Sequence, residues 1–233
     1  MKKAIIIGAS SGIGAELARV MAKDGFHIGI TARRVELLEK LASEFPTKTY
    51  VKFMDVTAAA EAMKTLRELI DEMGGVDIIV VNAGTGFENP TLEWHHEQNT
   101  IDVNVSGATA MINTAMHYFM EKGSGHLVGT SSIAALRGLP DSPAYSASKA
   151  YLSNYLQAMR HKAKSAKLKI SVTDIKPGFV DTALVQDGEG LFWVMPVETA
   201  VKQIYKAIKR KKKDVVVTKR WKIIAFIMKR LPK

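Results

Sequence analysis

The chain has 233 residues, 47% of them hydrophobic and 24% charged, with no cysteine and a formal net charge of +10. That length suits one α/β domain of ordinary composition, and the lack of cysteine excludes disulfides, thiolate zinc centres and a cysteine nucleophile. The positive charge is of a size that phosphate-rich ligands, nucleic acid or an anionic bilayer surface could use.

Met1-Lys2-Lys3 followed by Ala4 to Ile7 resembles a signal peptide only superficially, because the apolar run ends at once on Gly8. It reads instead as a buried strand, Lys3–Ile7, followed by a helix over Gly12–Lys23. The pattern then repeats: strand 27–31, helix 35–45, strand 49–53, helix 58–72 and strand 77–81. One long helical region is expected over 98–121, then strand 125–130, helix 144–164, strand 168–175, helix 197–209 and a last short strand 214–217. Alternation of this kind implies right-handed crossovers and a doubly wound, Rossmann-type parallel sheet of about seven strands in a single domain. The strands are almost wholly apolar, as a sheet covered on both faces requires. No repeat, linker or run long enough to cross a membrane interrupts the series.

The first strand runs into Gly8-Ala9-Ser10-Ser11-Gly12-Ile13-Gly14, with a helix directly behind it. A loop so placed brings backbone N–H groups and a helix N-terminus to a pyrophosphate, and its glycines permit the tight turn and close approach. The spacing is G-x-x-x-G-x-G rather than the commoner G-x-G-x-x-G, but the strand–loop–helix context is the one the motif needs. Where NAD-binding folds carry an acid at the end of the second strand, this chain reads Thr31-Ala32-Arg33-Arg34. Guanidinium groups there favour the 2′-phosphate of NADP(H), with NAD(H) as the other candidate. Ser10 and Ser11 offer hydroxyl donors to the same phosphates.

Tyr145-Ser146-Ala147-Ser148-Lys149 opens a predicted helix, and positions four apart share a helix face. A lysine cation beside a phenol favours the phenolate, so Lys149, helped by the positive nicotinamide ring when oxidised, is expected to bring Tyr145 down toward working range as a general acid or base. Ser132 stands at the end of the strand 125–130, where open α/β sheets bind their ligands. A hydroxyl there can hydrogen-bond a substrate oxygen. Ser131 and Thr130 are equally eligible on chemistry alone.

These features together resemble the short-chain dehydrogenases/reductases, and the resemblance covers about three-quarters of the chain, from Gly8 to Gly178. In that family the strand-end serine lies thirteen positions before the tyrosine, which selects Ser132. The resemblance further implies that Asn104, in Asp102-Val103-Asn104-Val105-Ser106-Gly107, completes a catalytic tetrad with Ser132, Tyr145 and Lys149, shaping its helix so that a water links the lysine to solvent. It implies an adenine pocket at Asp55-Val56, a ribose-side loop at Asn82-Ala83-Gly84 and a nicotinamide-holding segment at Pro177-Gly178-Phe179-Val180-Asp181-Thr182. It also implies that the lysine holds the ribose, and that subunits form a homodimer or tetramer through the helices bearing Asn104 and Tyr145. Two positions depart from the family pattern: Ile7 stands where Thr is usual and Val81 where Asn is usual. If strands one and four are neighbours, a paired exchange of polar for apolar residues avoids a lone buried polar group.

Between Thr182 and Pro196 the resemblance implies a substrate lid. Gly188 and Gly190 would be hinges, and Leu191, Phe192, Trp193 and Met195 would close over an apolar substrate; the competing reading is a loop packed on its own domain. Residues 1–218 form the expected catalytic domain and 219–233 a basic amphipathic tail. Lys219, Arg220, Lys222, Lys229, Arg230 and Lys233 follow the basic run 209–213, and Trp221 is placed for a membrane interface. A packing helix is the other reading of that tail. His95 and His96 are read as surface residues, and no metal site is expected.

The function expected is NADP(H)-dependent interconversion of a carbonyl and an alcohol on a small, apolar molecule, in the cytoplasm or at a membrane surface. The alternative is a non-catalytic binding protein that uses its basic surface for lipid or nucleic acid, although no recognised nucleic-acid motif is present.

Overall fold

Seven strands form one parallel sheet: β1 (Lys3–Ile7), β2 (His27–Ala32), β3 (Thr49–Phe53), β4 (Ile78–Val81), β5 (Ser124–Thr130), β6 (Lys169–Pro177) and β7 (Asp214–Val217). Their order across the sheet is β3-β2-β1-β4-β5-β6-β7. The computed structural model describes residues 2–182, 193–218 and 221.

The helices are α1 (Gly12–Lys23), α2 (Val35–Ser43), α3 (Ala59–Glu72), α4 (Trp94–Ile101), α5 (Ala108–Lys122), α6 (Pro143–Ser165) and α7 (Val197–Lys209). Side chains alternate across a strand, so each strand feeds two cores. Ile5, Ile7, Ile79, Val81, Leu127 and Val172 pack with residues of α3, α5 and α6 on one face. Ile6, Ile28, Ile30, Val80, Val128 and Ile175 pack with α1, α2 and α7 on the other. Burial on both faces explains why the strands read as unbroken apolar runs.

Strand order reverses between β1 and β4, which run side by side in parallel register. In an open α/β sheet that reversal opens a crevice beyond the carboxyl ends of the strands, and ligands bind there. Ile7 and Val81 are partners in this register and lie in the same core, each 1% exposed. The two apolar departures therefore face each other, as a paired exchange requires.

The long helix expected over 98–121 is not continuous. α4 begins earlier, at Trp94, and residues Asp102–Gly107 form a π-helical turn before α5. Apolar periodicity does not register one extra residue in a turn, and such turns concentrate at functional sites. β6 runs two residues past its expected end because Lys176 and Pro177 still pair with Val216 and Val217. Pro177 lacks an N–H, but at the last position of a strand that costs little.

Candidate active site

The loop after β1 is shaped by what its glycines leave out. Gly8 has φ +85°, and a Cβ there would lie 2.6 Å from the backbone of Ala83. A Cβ on Gly14 would lie 2.1 Å from the Gly8 carbonyl oxygen. Asn82 closes the same corner, its Nδ2 donating to the Gly8 carbonyl over 2.9 Å. Strands β1 and β4 thus end in one joined turn, with the N-terminus of α1, from Gly12 through Ile13 to Gly14, facing outward from it. This cradle of backbone N–H groups fits a dinucleotide pyrophosphate.

Arg34 reaches back to the loop, donating to Ser10 Oγ at 2.9 Å and Ser11 Oγ at 3.0 Å. Arg33 is exposed beside it. Guanidinium and hydroxyls thus share one corner at the end of β2, with no carboxylate at Ala32. Farther along the crevice, Asp55 accepts from the backbone N–H and hydroxyl of Thr57. Val56 is buried against the π-helical turn, where a Cβ on Gly107 would meet its carbonyl. Thr182 comes over the loop from the opposite side, 3.0 Å from where a Gly12 Cβ would be.

The catalytic candidates arrive from three elements. Ser132 ends the turn after β5 and caps the 3₁₀ turn Ile133–Leu136, accepting from Ala134 N–H at 3.1 Å. Tyr145 is in the first turn of α6, with the Ser132 side chain close enough to favour its phenolate. Lys149, one turn on, is 4% exposed, donates to the Thr130 carbonyl at 3.2 Å and lies 5.6 Å from the centroid of the Tyr145 ring. Asn104, 1% exposed in the π-helical turn, accepts from Thr85 N–H and donates to the Thr85 carbonyl and to Ser148 Oγ. Gly84 lies between Lys149 and Asn104: a Cβ there would be 3.0 Å from Nζ and 3.3 Å from Oδ1.

One electrostatic expectation is reversed. Tyr145 is raised above the ordinary tyrosine value, first by burial, with the Ser132 side chain pulling the other way. Loss of water around the phenolate is the larger influence, and Lys149, 5.6 Å from the ring centroid, does not overcome it. Lys149 itself is lowered to about 8 by burial, with Asp174 opposing that shift.

Two side chains near the C-terminal half also sit differently from expectation. Trp221, read as a membrane-interface residue, is 4% exposed and packs with Ile133, Leu136 and Phe179. Its ring occupies the space a Cβ on Gly178 would need, at 2.3 Å, and meets Phe179 edge-on. Its apolar body finds a protein pocket, so no bilayer is needed to bury it. The rest of 219–233 lies outside the described residues. Met195, expected in a lid, is instead pinned to its own domain: its N–H donates to the Phe179 carbonyl and its carbonyl accepts from Asp181 N–H, beside buried Val180. Trp193 is partly exposed with its ring edge-on to Trp221. Gly188, Gly190, Leu191 and Phe192 lie outside the described residues.

Sequence reasoning missed Gly86, which packs under the Tyr145 ring, where a Cβ would lie 2.5 Å from Cδ2. The alternation Gly84-Thr85-Gly86 just after an apolar strand was the available signal. It also missed Thr85, which holds both ends of the Asn104 amide. His95 is exposed and His96 partly so, their rings 3.9 Å apart. Among the described residues no helix is long and apolar enough to cross a membrane.

A family model described as short chain dehydrogenase matches residues 2–189. An uncharacterized oxidoreductase of Myxococcus xanthus is 36% identical over 216 residues, covering 90% of this chain and 84% of that protein. An alcohol dehydrogenase of the archaeon Thermococcus sibiricus, solved with 5-hydroxy-NADP, superposes with a TM-score of 0.83 at 24% identity, covering 93% of this chain and 96% of that one. A 3-ketoacyl-(acyl-carrier-protein) reductase of Brucella melitensis, solved with NADH, gives a TM-score of 0.83 at 23% identity, again over 93% and 96%. At those identities the two structures speak to the fold.

Proposed function

The chain belongs to the short-chain dehydrogenases, oxidoreductases that use nicotinamide nucleotides, and from that premise we propose that it reduces the carbonyl of a small apolar molecule with NADPH. The observation that carries this reading is the meeting of the Tyr145 phenol, the Ser132 hydroxyl and the Lys149 ammonium at the end of β5, beside the glycine cradle.

The pyrophosphate would rest on the N–H groups between Gly8 and Gly14. Asp55, Val56, Asn82, Ala83 and Gly84 would flank the adenosine, while Pro177, Gly178, Val180 and Thr182 would hold the nicotinamide end. When bound, the cofactor supplies the hydride. Ser132 hydrogen-bonds the carbonyl oxygen and orients it. Tyr145 gives that oxygen its proton as the alcohol forms. A phenol raised by burial is neutral and loaded at pH 7, which supports the reductive direction. Lys149 keeps a cation beside the phenol and binds the ribose. Asn104 fixes the Gly84–Thr85 backbone against which Lys149 rests. The Arg34–Ser10–Ser11 corner supports NADP(H) over NAD(H), because it presents donors and positive charge where a 2′-phosphate would come.

Subunit pairing is assigned to the outer face of α4, the π-helical turn and α6. There Ile101, Val105, Ala144, Ala147 and Tyr151 line an open groove of about 440 Å³ that is largely apolar.

Tyr145→Phe tests the chemistry. It removes the transferable proton and keeps the ring against Gly86. Turnover with NADPH across a panel of lipophilic ketones and aldehydes should fall roughly 10²–10⁴-fold, while cofactor affinity by fluorescence titration stays at the wild-type value. Undiminished turnover would reject Tyr145 as the proton donor. The reading as a non-catalytic binding protein is not favoured by membership in this family.

A further inference from the structure

Asp174 is the buried carboxylate of β6, a strand that also buries Thr173 and Lys176. β6 is an inner strand of the sheet, and Asp174 is fully buried at its centre, where neighbours on both sides are apolar or paired. A carboxylate taken from water must recover its hydrogen bonds or the fold suffers. Asp174 recovers three from side chains: Ser131 Oγ donates to Oδ1, Ser153 Oγ donates to Oδ2 over 2.7 Å, and Lys176 Nζ donates to Oδ2 as an ion pair.

The positions of these partners matter more than their number. Ser131 lies between Thr130, whose carbonyl takes the Lys149 ammonium, and Ser132, which sits against Tyr145. Ser153 is on α6 one turn beyond Lys149 and so on the same side of that helix. One carboxylate therefore joins the strand end that carries Ser132 to the helix that carries Tyr145 and Lys149. Behind it the network is closed by Lys176 donating to Asp214 at 3.0 Å, and by Arg160 bonding Asp214, the Val172 carbonyl and the Lys213 carbonyl. A lone counter-ion for Lys176 would need none of the serine contacts.

We propose that Asp174 is a positioning residue for the reaction, clamping the Ser132 turn to the Tyr145–Lys149 face of α6 and setting a buried negative charge on that side of the helix. The proposal rests on the roles assigned above to Ser132, Tyr145 and Lys149. Its electrostatic half has a clear sign. Burial lowers Lys149 and Asp174 opposes it. Among the described residues, Tyr145 on its own helix and Asp174 from β6 are the titratable groups placed against Lys149, and Asp174 is in turn paired with Lys176, which also bonds Asp214 of β7. The π-helical turn contributes Asn104, and the segment after β4 contributes only backbone. Asp174 is thus the anion that acts on Lys149, and removing its charge leaves the effect of burial unopposed.

Wild type, Asp174→Asn and Ser153→Ala are compared by two measurements. The first is the pH midpoint of Lys149 in the cofactor-free protein, read by competitive trace acetylation and peptide mass spectrometry. The second is kcat and KM for NADPH-dependent carbonyl reduction. For Asp174→Asn the Lys149 midpoint should move to lower pH by on the order of one unit, and kcat should fall about tenfold or more with KM little changed. For Ser153→Ala, which keeps the charge and cuts one arm, the midpoint should stay and kcat should fall several-fold. A merely structural carboxylate would lower the melting temperature of both variants and leave midpoint and kcat at wild-type values; that result overturns the proposal. Should Asp174→Asn fail to fold, Ser131→Ala and Ser153→Ala decide it: a wild-type kcat in both overturns the clamp. Should the wild type reduce no carbonyl at all, the functional reading fails, while the Lys149 midpoint still passes or fails Asp174.

Discussion

The phosphate loop and the apolar wall behind Gly178 are both built around a glycine whose missing side chain is filled by something else, and they differ in where that something comes from. At Gly14 it is the carbonyl of Gly8, within the same loop. At Gly178 it is the indole of Trp221, which returns from beyond β7. The phosphate loop is thus closed mainly by backbone, its own and that of Ala83 at the end of β4. The wall at Gly178 is closed by a side chain distant in the chain. A locally closed turn is specified by its own residues and keeps its form when the rest of the sequence changes. A wall closed by one distant side chain can be unmade by a single exchange.

The largest expected effect is on the long-range side. Trp221→Ala empties a buried aromatic site and should cost about 3–5 kcal/mol, seen as a lowered midpoint in urea, with NADPH affinity retained. A surface tryptophan waiting for a membrane would give a change within about 0.5 kcal/mol, and that outcome would erase the contrast drawn here.

Acid sharpens the same contrast. His126, buried on β5, donates from Nε2 to Thr173 Oγ1, which passes its own proton to the Lys212 carbonyl. Burial first, then Lys211, depresses it to about 4 from an ordinary value of 6.5. The unfolded chain therefore takes up this proton before the folded one does. Stability from this group is complete above pH 6.5 and declines as pH falls toward 4, by up to about 3 kcal/mol at ~1.36 kcal/mol per unit. Hydrogen exchange at falling pH should loosen β5, β6 and the segment before β7 ahead of β1 and β2, and His126→Gln should flatten the dependence. Equal loosening of both halves would contradict it.

The smallest effect belongs to the local side. Arg34→Ala removes a charged donor worth roughly 1.5–3 kcal/mol, so NADPH should bind about 10–100-fold more weakly and NADH as before. Titration of both nucleotides measures the ratio. An unchanged ratio would assign the 2′ position to other groups.

Much of this was legible beforehand, for identifiable reasons. β1, α1, β3, α7 and β7 have the limits their apolar runs suggested, since burial on both faces leaves an uninterrupted signal. Gly8, Gly12 and Gly14 announced a close backbone turn because no other residue tolerates one. The π-helical turn at Asn104 was not legible, because a single inserted residue hardly disturbs helical periodicity. Trp221 was misread because an aromatic flanked by basic residues looks alike on a bilayer and in a cavity until the cavity is known. The raised phenol of Tyr145 was missed because sequence gives the spacing of a cation, but gives neither the angle at which it meets the ring nor the water that burial removes.

The sequence by itself determined the alternation of strand and helix, the parallel sheet and the turn where a dinucleotide can rest, for these follow from hydrophobic period and from backbone freedom over a few residues. Only the tertiary structure decided that Asp174 joins Ser131 to Ser153, that Trp221 covers Gly178 and that burial raises the Tyr145 phenol. Each of those depends on the distance between groups far apart in the chain and on how much water remains around them, and neither quantity is set until the sheet has closed over its helices.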